Sequence, residues 1–111
     1  MILIIRQRAT SKQIEQMAEI YFGLWIKLAV DINREILAGG GELHYDCEQI
    51  LLEDGSLQPD IWGADWYTET RQVGFESLIN IRPRLNRSME IQDFGIREKV
   101  ETITRCLLEV N

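Results

Sequence analysis

The spacing of hydrophobic residues changes several times along this sequence, and each change predicts a new element. Residues 1–7 are almost wholly aliphatic until Arg6, which is typical of a strand buried on both faces and therefore central in a sheet. Thr10 and Gln13 stand at capping-box spacing, and apolar positions then recur at helical intervals as far as Gly23. A strand followed by a helix is therefore expected.

A half-buried strand and its hairpin partner are expected next, because the hydrophobic period becomes two. The apolar row consists of Leu24, Ile26, Leu28, Val30 and Ile32. Trp25, Lys27 and Asp31 occupy the opposite face. After a polar turn, residues 36–38 run into the glycine triplet 39–41. The triplet favours a bend or bulge where the strand leaves the sheet, and an anion-binding nest of backbone N–H groups is the alternative.

The central part of the chain predicts a short helix and then an aromatic strand. Asp46 with Gln49 offers a cap for a short helix that ends before Gly55, and a strand through residues 50–52 is the alternative. Trp62 and Trp66 then alternate with smaller residues, as on a pleated surface. Trp62, Trp66 and Trp25 are all expected to fill the core under a helix, and a ligand groove or a dimer patch is the alternative.

A fifth strand and a closing helix complete the predicted order. The alternation continues through Val73, Phe75, Ser77, Ile79 and Ile81, and the strand has to end by Pro83. Asp93 then caps a helix whose buried stripe is Ile96, Val100, Ile103 and Leu107, with Glu101 and Arg105 paired outside.

The resulting order β-α-β-β-(α)-β-β-α predicts an α+β fold for residues 1–111 as a single domain. Short connections between strands favour antiparallel pairing. We therefore expect a two-layer sandwich in which a mostly antiparallel sheet of about five strands carries two or three helices on one face.

Composition restricts the function classes. The longest apolar runs are too short for a membrane span or a signal-peptide core, and the two cysteines, Cys47 and Cys106, form no CxxC pair and look buried. A soluble, cytoplasmic protein without a membrane partner is expected. A formal net charge of −6 makes nucleic acid an unfavourable partner.

Several uncommon segments occur in one order along the chain: residues 40–44, 52–56, 78–83 and 86–88. Together they resemble a family of short bacterial proteins that is known only as a domain of unknown function. The resemblance runs over nearly the whole chain, and it implies no activity and no site residue.

An alternating row of polar side chains is the candidate metal site. Glu42, His44, Asp46 and Glu48 would point to one side of an extended segment. Because Glu42 and Asp46 would stand about 13 Å apart on such a segment, only Glu42 and His44 could share one ion. A divalent metal held by this pair is the one candidate cofactor. The alternative is that Asp46 caps a helix and His44 is an ordinary hydrogen-bonded residue.

One basic, amide-rich segment stands out in this acidic sequence, and it is the candidate anion-binding site. Its residues are Asn80, Arg82, Arg84, Asn86 and Arg87. Guanidinium forks suit carboxylate and phosphate oxygens. The alternative is a solvated loop whose arginines pair with surface acids.

Two functions follow from these candidates. The first is a homo-oligomeric binding domain, most simply a homodimer, whose Arg/Asn loop accepts a small anion. The second is a metal-assisted hydrolase in which Glu42 and His44 hold the ion and Arg82 and Arg84 orient a phosphate or carboxylate substrate. No familiar nucleophile motif is present, so enzymatic activity is left open.

Overall fold

The predicted order of elements is confirmed in the computed structural model, which describes residues 1–110. The strands are β1 (Leu3–Ile5), β2 (Trp25–Asp31), β3 (Ile36–Gly39), β4 (Ile61–Tyr67) and β5 (Gln72–Gly74). The α-helices are α1 (Ser11–Ala18), α2 (His44–Glu53) and α3 (Phe94–Leu108), and short 3₁₀ turns lie at Glu19–Tyr21, Gln58–Asp60 and Leu78–Asn80. The α+β class and the five-stranded antiparallel sheet are therefore confirmed.

The strands lie in the order β1-β3-β2-β4-β5, and every neighbouring pair is antiparallel. The prediction that residues 1–7 form a central strand is wrong, because β1 is an edge strand. Its aliphatic composition has another cause: Ile5 packs into the core on one face of the sheet, while Ile2 and Ile4 pack against the other. A strand that is covered on both faces has a continuous apolar sequence, whether it lies at the centre or at the edge of the sheet.

Alternation along β2 and β4 divides the core in two. On the first face, Ile26, Leu28 and Val30 pack with Trp62 and Trp66 beneath α1 and α3. On the second face, a smaller core forms beneath α2, and its buried members are Ala29, Ile36, Ala38, Cys47, Leu51 and Ile61. The interpretation as core residues is confirmed for Trp62 and Trp66 and is wrong for Trp25, which is only partly buried on the second face. Helices α1 and α3 share one face, as predicted, but the expectation that all helices lie on that face is wrong for α2, which packs on part of the opposite face through Cys47 and Leu51.

Helix starts follow local capping chemistry. Thr10 and Gln13 form the predicted capping box, with N···O distances of 3.1 and 2.9 Å. Asp93 accepts a hydrogen bond from the Ile96 N–H at 2.9 Å, as predicted for the closing helix. Asp46 does not hold the predicted cap position, because α2 begins two residues earlier, at His44. The Asp46 carboxylate instead accepts a hydrogen bond from the Leu43 N–H at 3.2 Å.

Within residues 1–110, no helix combines the length and the apolarity that crossing a membrane requires.

The glycine triplet is buried where three parts of the chain meet. Gly40 has φ of 105°, and a Cβ there would collide with the Met1 carbonyl oxygen. A Cβ on Gly41 would lie 3.1 Å from the Cys47 sulfur. Close approach of neighbouring backbone and side chains therefore accounts for the triplet, as the bend interpretation requires.

The fifth strand is shorter than predicted, since β5 ends at Gly74 and Leu78–Asn80 form a 3₁₀ turn. The Asn80 side chain takes over the pairing that the strand gives up. Its Oδ1 accepts from the Gly63 N–H at 2.7 Å, and its Nδ2 donates to the Gly63 carbonyl at 3.0 Å. A primary amide carries the same donor and acceptor as a peptide group, so Asn80 completes the edge of β4 beyond β5.

Close packing holds this turn against β4. A Cβ on Gly63 would lie 2.5 Å from the Ser77 Cβ and 2.9 Å from an Ile79 side-chain carbon. Glycine at position 63 therefore lets the segment 77–80 lie directly on the strand. Ser77 caps the turn by accepting from the Ile79 N–H at 3.3 Å.

We expect Asn80→Ala to destabilise the fold by roughly 2–4 kcal/mol, because it leaves both buried polar groups of Gly63 without a partner. Urea unfolding followed by circular dichroism measures the change. Arg84→Ala, an exposed substitution four residues away, is the control and should stay within about 0.5 kcal/mol of the parent chain. Equal midpoints for the two variants would contradict the pairing role of Asn80.

Candidate ligand-binding cleft

Part of the second sheet face lies beyond α2 and forms a cleft. The register pairs Lys27 with Asp65 and Trp25 with Tyr67 across β2 and β4, and all four side chains point to this face. The N-terminus of α2 and the segment 76–79 stand on either side of them. Together they enclose a cavity of about 450 Å³, which also includes Leu43, His44, Tyr45 and Met89.

Three aromatic rings form one end of the cleft region. Trp25 and Tyr67 stack with a centroid distance of 5.8 Å and an interplanar angle of 6°. Tyr21 lies 4.7 Å from Trp25 at a tilt of 42°, and its hydroxyl donates to the Glu42 carbonyl at 2.6 Å. This last bond ties the end of the first helical segment to the loop before α2. The stacked rings therefore have a fixed position relative to the α2 wall.

Lys27 provides a cation beside these rings. Its Nζ lies 5.3 Å from the centroid of Tyr21 and 5.4 Å from that of Trp25, within cation–π range. Although Asp65 is its cross-strand partner, the two side chains form no ion pair. Within residues 1–110, the Lys27 ammonium has no hydrogen-bond acceptor. Its donors are therefore available in the cleft.

The Asp65 carboxylate is instead bonded to His44. The His44 Nε2–H donates to Asp65 Oδ1 at 2.8 Å and to the Ala64 carbonyl at 3.1 Å. The two side chains of the pair are 13% and 8% exposed, so this contact is shielded from most of the solvent. His44 is the first residue of α2, and the pair therefore joins the start of the helix to the centre of β4.

Acidic groups dominate the side of the cleft next to Tyr67. Partial burial, with Asp65 and Glu76 nearby, raises the pKa of the Tyr67 hydroxyl above its usual value. Tyr67 therefore stays neutral at physiological pH and can donate a hydrogen bond. The cleft combines one cation, a paired carboxylate, an exposed carboxylate and neutral aromatic surface.

The structure places the two predicted metal ligands differently from each other. His44 lines the cleft but its Nε2 is bonded to protein acceptors, whereas the Glu42 side chain is exposed and does not line it. Across residues 1–110, no group of three or more His, Cys, Asp or Glu side chains is positioned to hold an ion. Metal binding by Glu42 and His44 stays a prediction. Among the described residues, no third ligand stands beside this pair.

Two of the predicted anion-binding residues point inward. Asn80 is fully buried against β4, as described above. Asn86 is 2% exposed, and its Nδ2 donates to the carbonyls of Asn80, Ser88 and Glu90 while its Oδ1 accepts from the Gln92 N–H. Both amides organise the backbone of their own loop.

Arg82, like Asn80, donates hydrogen bonds to backbone carbonyls at the outer edge of β4. Its guanidinium lies 3.9 Å from the Trp62 ring centroid and donates to the carbonyls of Pro59 and Ile61. Burial lowers the pKa of Arg82 below its usual value, which the charges of Glu48 and Asp60 oppose. Ile61 lies two residues before Gly63 on the same side of β4, so Asn80 and Arg82 satisfy successive groups of one strand edge.

Arg84 and Arg87 are the two exposed residues of the predicted anion site. The Arg87 Nε–H donates to the Pro83 carbonyl at 3.0 Å, which fixes part of that side chain along the loop. Anion binding by this segment stays a prediction, and it now depends on Arg84 and Arg87 for donors that reach solvent.

Lys27, Asp65 and Tyr67 were not identified as site residues from the sequence. A signal for them exists, because each lies on the face of its strand opposite the core tryptophans and aliphatic residues. A charged residue in the middle of a buried strand needs a partner or a polar cavity.

The predicted burial of both cysteines is correct for Cys47 and wrong for Cys106, which is exposed on α3. Burial raises the pKa of the Cys47 thiol to about 11.

Glu48 makes the fold sensitive to pH. It is 6% exposed beneath the segment that carries Arg82, and its Oε2 has no hydrogen-bond partner in the structure described for residues 1–110. Burial raises the pKa of its carboxyl, against the opposing effects of Gln58 and Arg82. The folded state therefore binds a proton at Glu48 more tightly than the unfolded state does. The stability that this protonation contributes is lost as the pH rises through the pKa of the folded state.

We expect Glu48→Gln to be more stable than the parent chain at pH 7, by roughly 1 kcal/mol, since it removes a buried charge. The advantage should shrink as the pH falls from 7 and the parent carboxyl, whose pKa burial raises, becomes protonated. Thermal melts across this pH range measure it, with the exposed substitution Glu98→Gln as the control. A constant difference at every pH would contradict the assignment.

Comparison with known proteins bears on identity but not on activity. Searches of curated proteins and of solved structures give no significant match. Among protein-family models, the one described as "Protein of unknown function (DUF5674)" matches residues 3–107. That match covers nearly all of the chain and confirms the resemblance to a family of unknown function. The chain therefore belongs to the DUF5674 family.

Proposed function

We propose that this chain is a binding domain and that its ligand site is the cleft over Lys27 and Asp65. The observation that carries the proposal is the combination of stacked rings with polar atoms left free at their side. Aromatic walls with a few convergent polar groups are typical of small-molecule sites, and about 450 Å³ lies within the usual volume range. The ligand is therefore a small organic molecule.

The cleft has better support than the two sites expected from the sequence. The metal-assisted hydrolase needs Arg82 and Arg84 to orient a substrate near His44. Neither arginine lines the cleft, and Arg82 donates to backbone carbonyls at the edge of β4. The anion loop retains Arg84 and Arg87 as its exposed donors, but neither of them lines the cleft.

Protein-observed NMR with small aromatic probes tests the cleft. The three indole N–H signals act as separate reporters, because Trp62 and Trp66 are 1% and 2% exposed in the core while Trp25 lines the cleft. We expect aromatic probes to shift the Trp25 signal and to leave the other two unchanged. Tyr67→Ala should weaken binding roughly three- to tenfold, because it removes one ring of the stack.

Phe22→Ala is the matched control for this experiment. Phe22 is 91% exposed and lies outside the cleft, so its removal deletes an aromatic ring of similar size without touching the proposed site. Its binding should equal that of the parent chain. Equal losses in the two variants, or probe shifts spread over all three indoles, would contradict a ligand site at the cleft.

Self-association is a separate part of the proposal, together with the expectation of a bacterial, cytoplasmic protein. Large apolar side chains are exposed around the 3₁₀ turn and the following loop, at Leu78, Ile81, Leu85 and Met89. The outer edges of β1 and β5 also present unpaired backbone groups, although three-residue edges offer few of them. These features support a homodimer.

Light scattering coupled to size exclusion tests the homodimer at micromolar concentration. We expect a mass near twice the 12.9 kDa of one chain. Leu78→Asp, which places a charge on the most exposed of these side chains, should shift the equilibrium toward the single chain. A parent mass of 12.9 kDa across the concentration range would overturn this part of the proposal.

A further inference from the structure

We propose that the cleft selects an uncharged aromatic ring that carries a hydrogen-bond donor, and that His44 Nδ1 accepts this hydrogen bond. The inference rests on the proposed function and adds the chemical class of the ligand. It depends on the protonation pattern of His44, the free atoms on the cleft floor and their charge balance.

The hydrogen bonds of His44 determine which ring nitrogen carries the proton. Nε2 lies 2.8 Å from Asp65 Oδ1 and 3.1 Å from the Ala64 carbonyl. A carboxylate and a backbone carbonyl can only accept, so Nε2 has to be the donor. In the neutral imidazole, the lone pair is therefore on Nδ1.

This lone pair is available to a ligand. His44 lines the cavity, and within residues 1–110 its Nδ1 has no hydrogen-bond partner. Although the His44 side chain is only 13% exposed, its Nδ1 keeps some contact with solvent. A ligand donor that replaces water at Nδ1 keeps this atom paired, whereas a ligand without a donor leaves it unpaired.

The charges of the cleft favour an uncharged ligand. Lys27 and Asp65 face each other across β2 and β4 and balance to zero, and Asp65 is already bonded to His44. Glu76 lies exposed at the rim and repels an anion. Lys27 repels a cation placed against the rings of Tyr21 and Trp25. An anion that reaches the free Lys27 ammonium is repelled by Glu76, and a cation that reaches Glu76 is repelled by Lys27.

Two isomeric probes separate the donor from size and hydrophobicity. 4-Methylphenol has a hydroxyl donor, whereas anisole has the same atoms with the oxygen methylated. Titrations followed at the Trp25 indole N–H give both affinities. We expect 4-methylphenol to bind roughly three- to tenfold more tightly, the value of one net hydrogen bond. The ¹⁵N signal of His44 Nδ1 should move with 4-methylphenol and stay unchanged with anisole.

His44→Phe provides a variant that keeps a ring at this position and removes the lone pair. It should bring the affinities of the two probes to within a factor of two, while Phe22→Ala keeps the full difference. If His44→Phe fails to fold, the Nδ1 signal of the parent chain still decides the assignment. Benzoate and benzylamine, which carry opposite charges, should each bind more weakly than 4-methylphenol.

The possible failures are distinguishable. If neither isomer shifts the Trp25 signal, both the cleft and the ligand class are overturned. If both isomers bind equally, or if Nδ1 does not respond to 4-methylphenol, the cleft remains a ligand site and the role of His44 is overturned. Tighter binding of benzoate or benzylamine would overturn the uncharged class and leave the donor assignment in place.

Discussion

The seven-residue pairing of β2 with β4 is the constraint on which the rest of the structure depends. It aligns Val30 with Trp62 and Ile26 with Trp66 on the core face, and Lys27 with Asp65 on the other face. Because side chains alternate with a period of two, a shift of one residue in either strand would exchange these sets. The large apolar area of the two tryptophans therefore fixes the register, and the register places the polar residues of the cleft.

The second sheet face shows how a short helix can leave a cleft beside it. Ala29, Ala38 and Gly63 let α2 and the segment 77–80 approach the sheet closely, so this part of the face is covered. The larger Trp25 and Tyr67 side chains stand beyond the helix N-terminus and hold the rest of the face open. His44 lies at that boundary, which explains why the first residue of α2 contacts the centre of β4.

The edge of β4 shows that side chains can substitute for a strand. Asn80 bonds the N–H and carbonyl of Gly63, and Arg82 bonds the carbonyl of Ile61. The same 3₁₀ turn forms one wall of the cleft through Ser77 and Ile79. Asn80 and Arg82, two of the residues that sequence reasoning assigned to an anion, therefore support this wall of the cleft from behind, and Asn86 fixes the loop that carries them.

The sequence by itself determined the local features of this protein. Capping residues and hydrophobic periods depend on neighbours within a few positions, so Thr10 and Gln13, the Asp93 cap and the faces of β2 could be predicted directly. The length of β5 could not, because the alternation after Gly74 is compatible with a strand until Asn80 occupies the edge of β4. The cleft also required the tertiary structure. His44 and Asp65 are 21 residues apart in sequence, and the packing of α2 on the sheet brings their side chains together. Contacts between distant segments depend on how helices and strands pack, which no local spacing records.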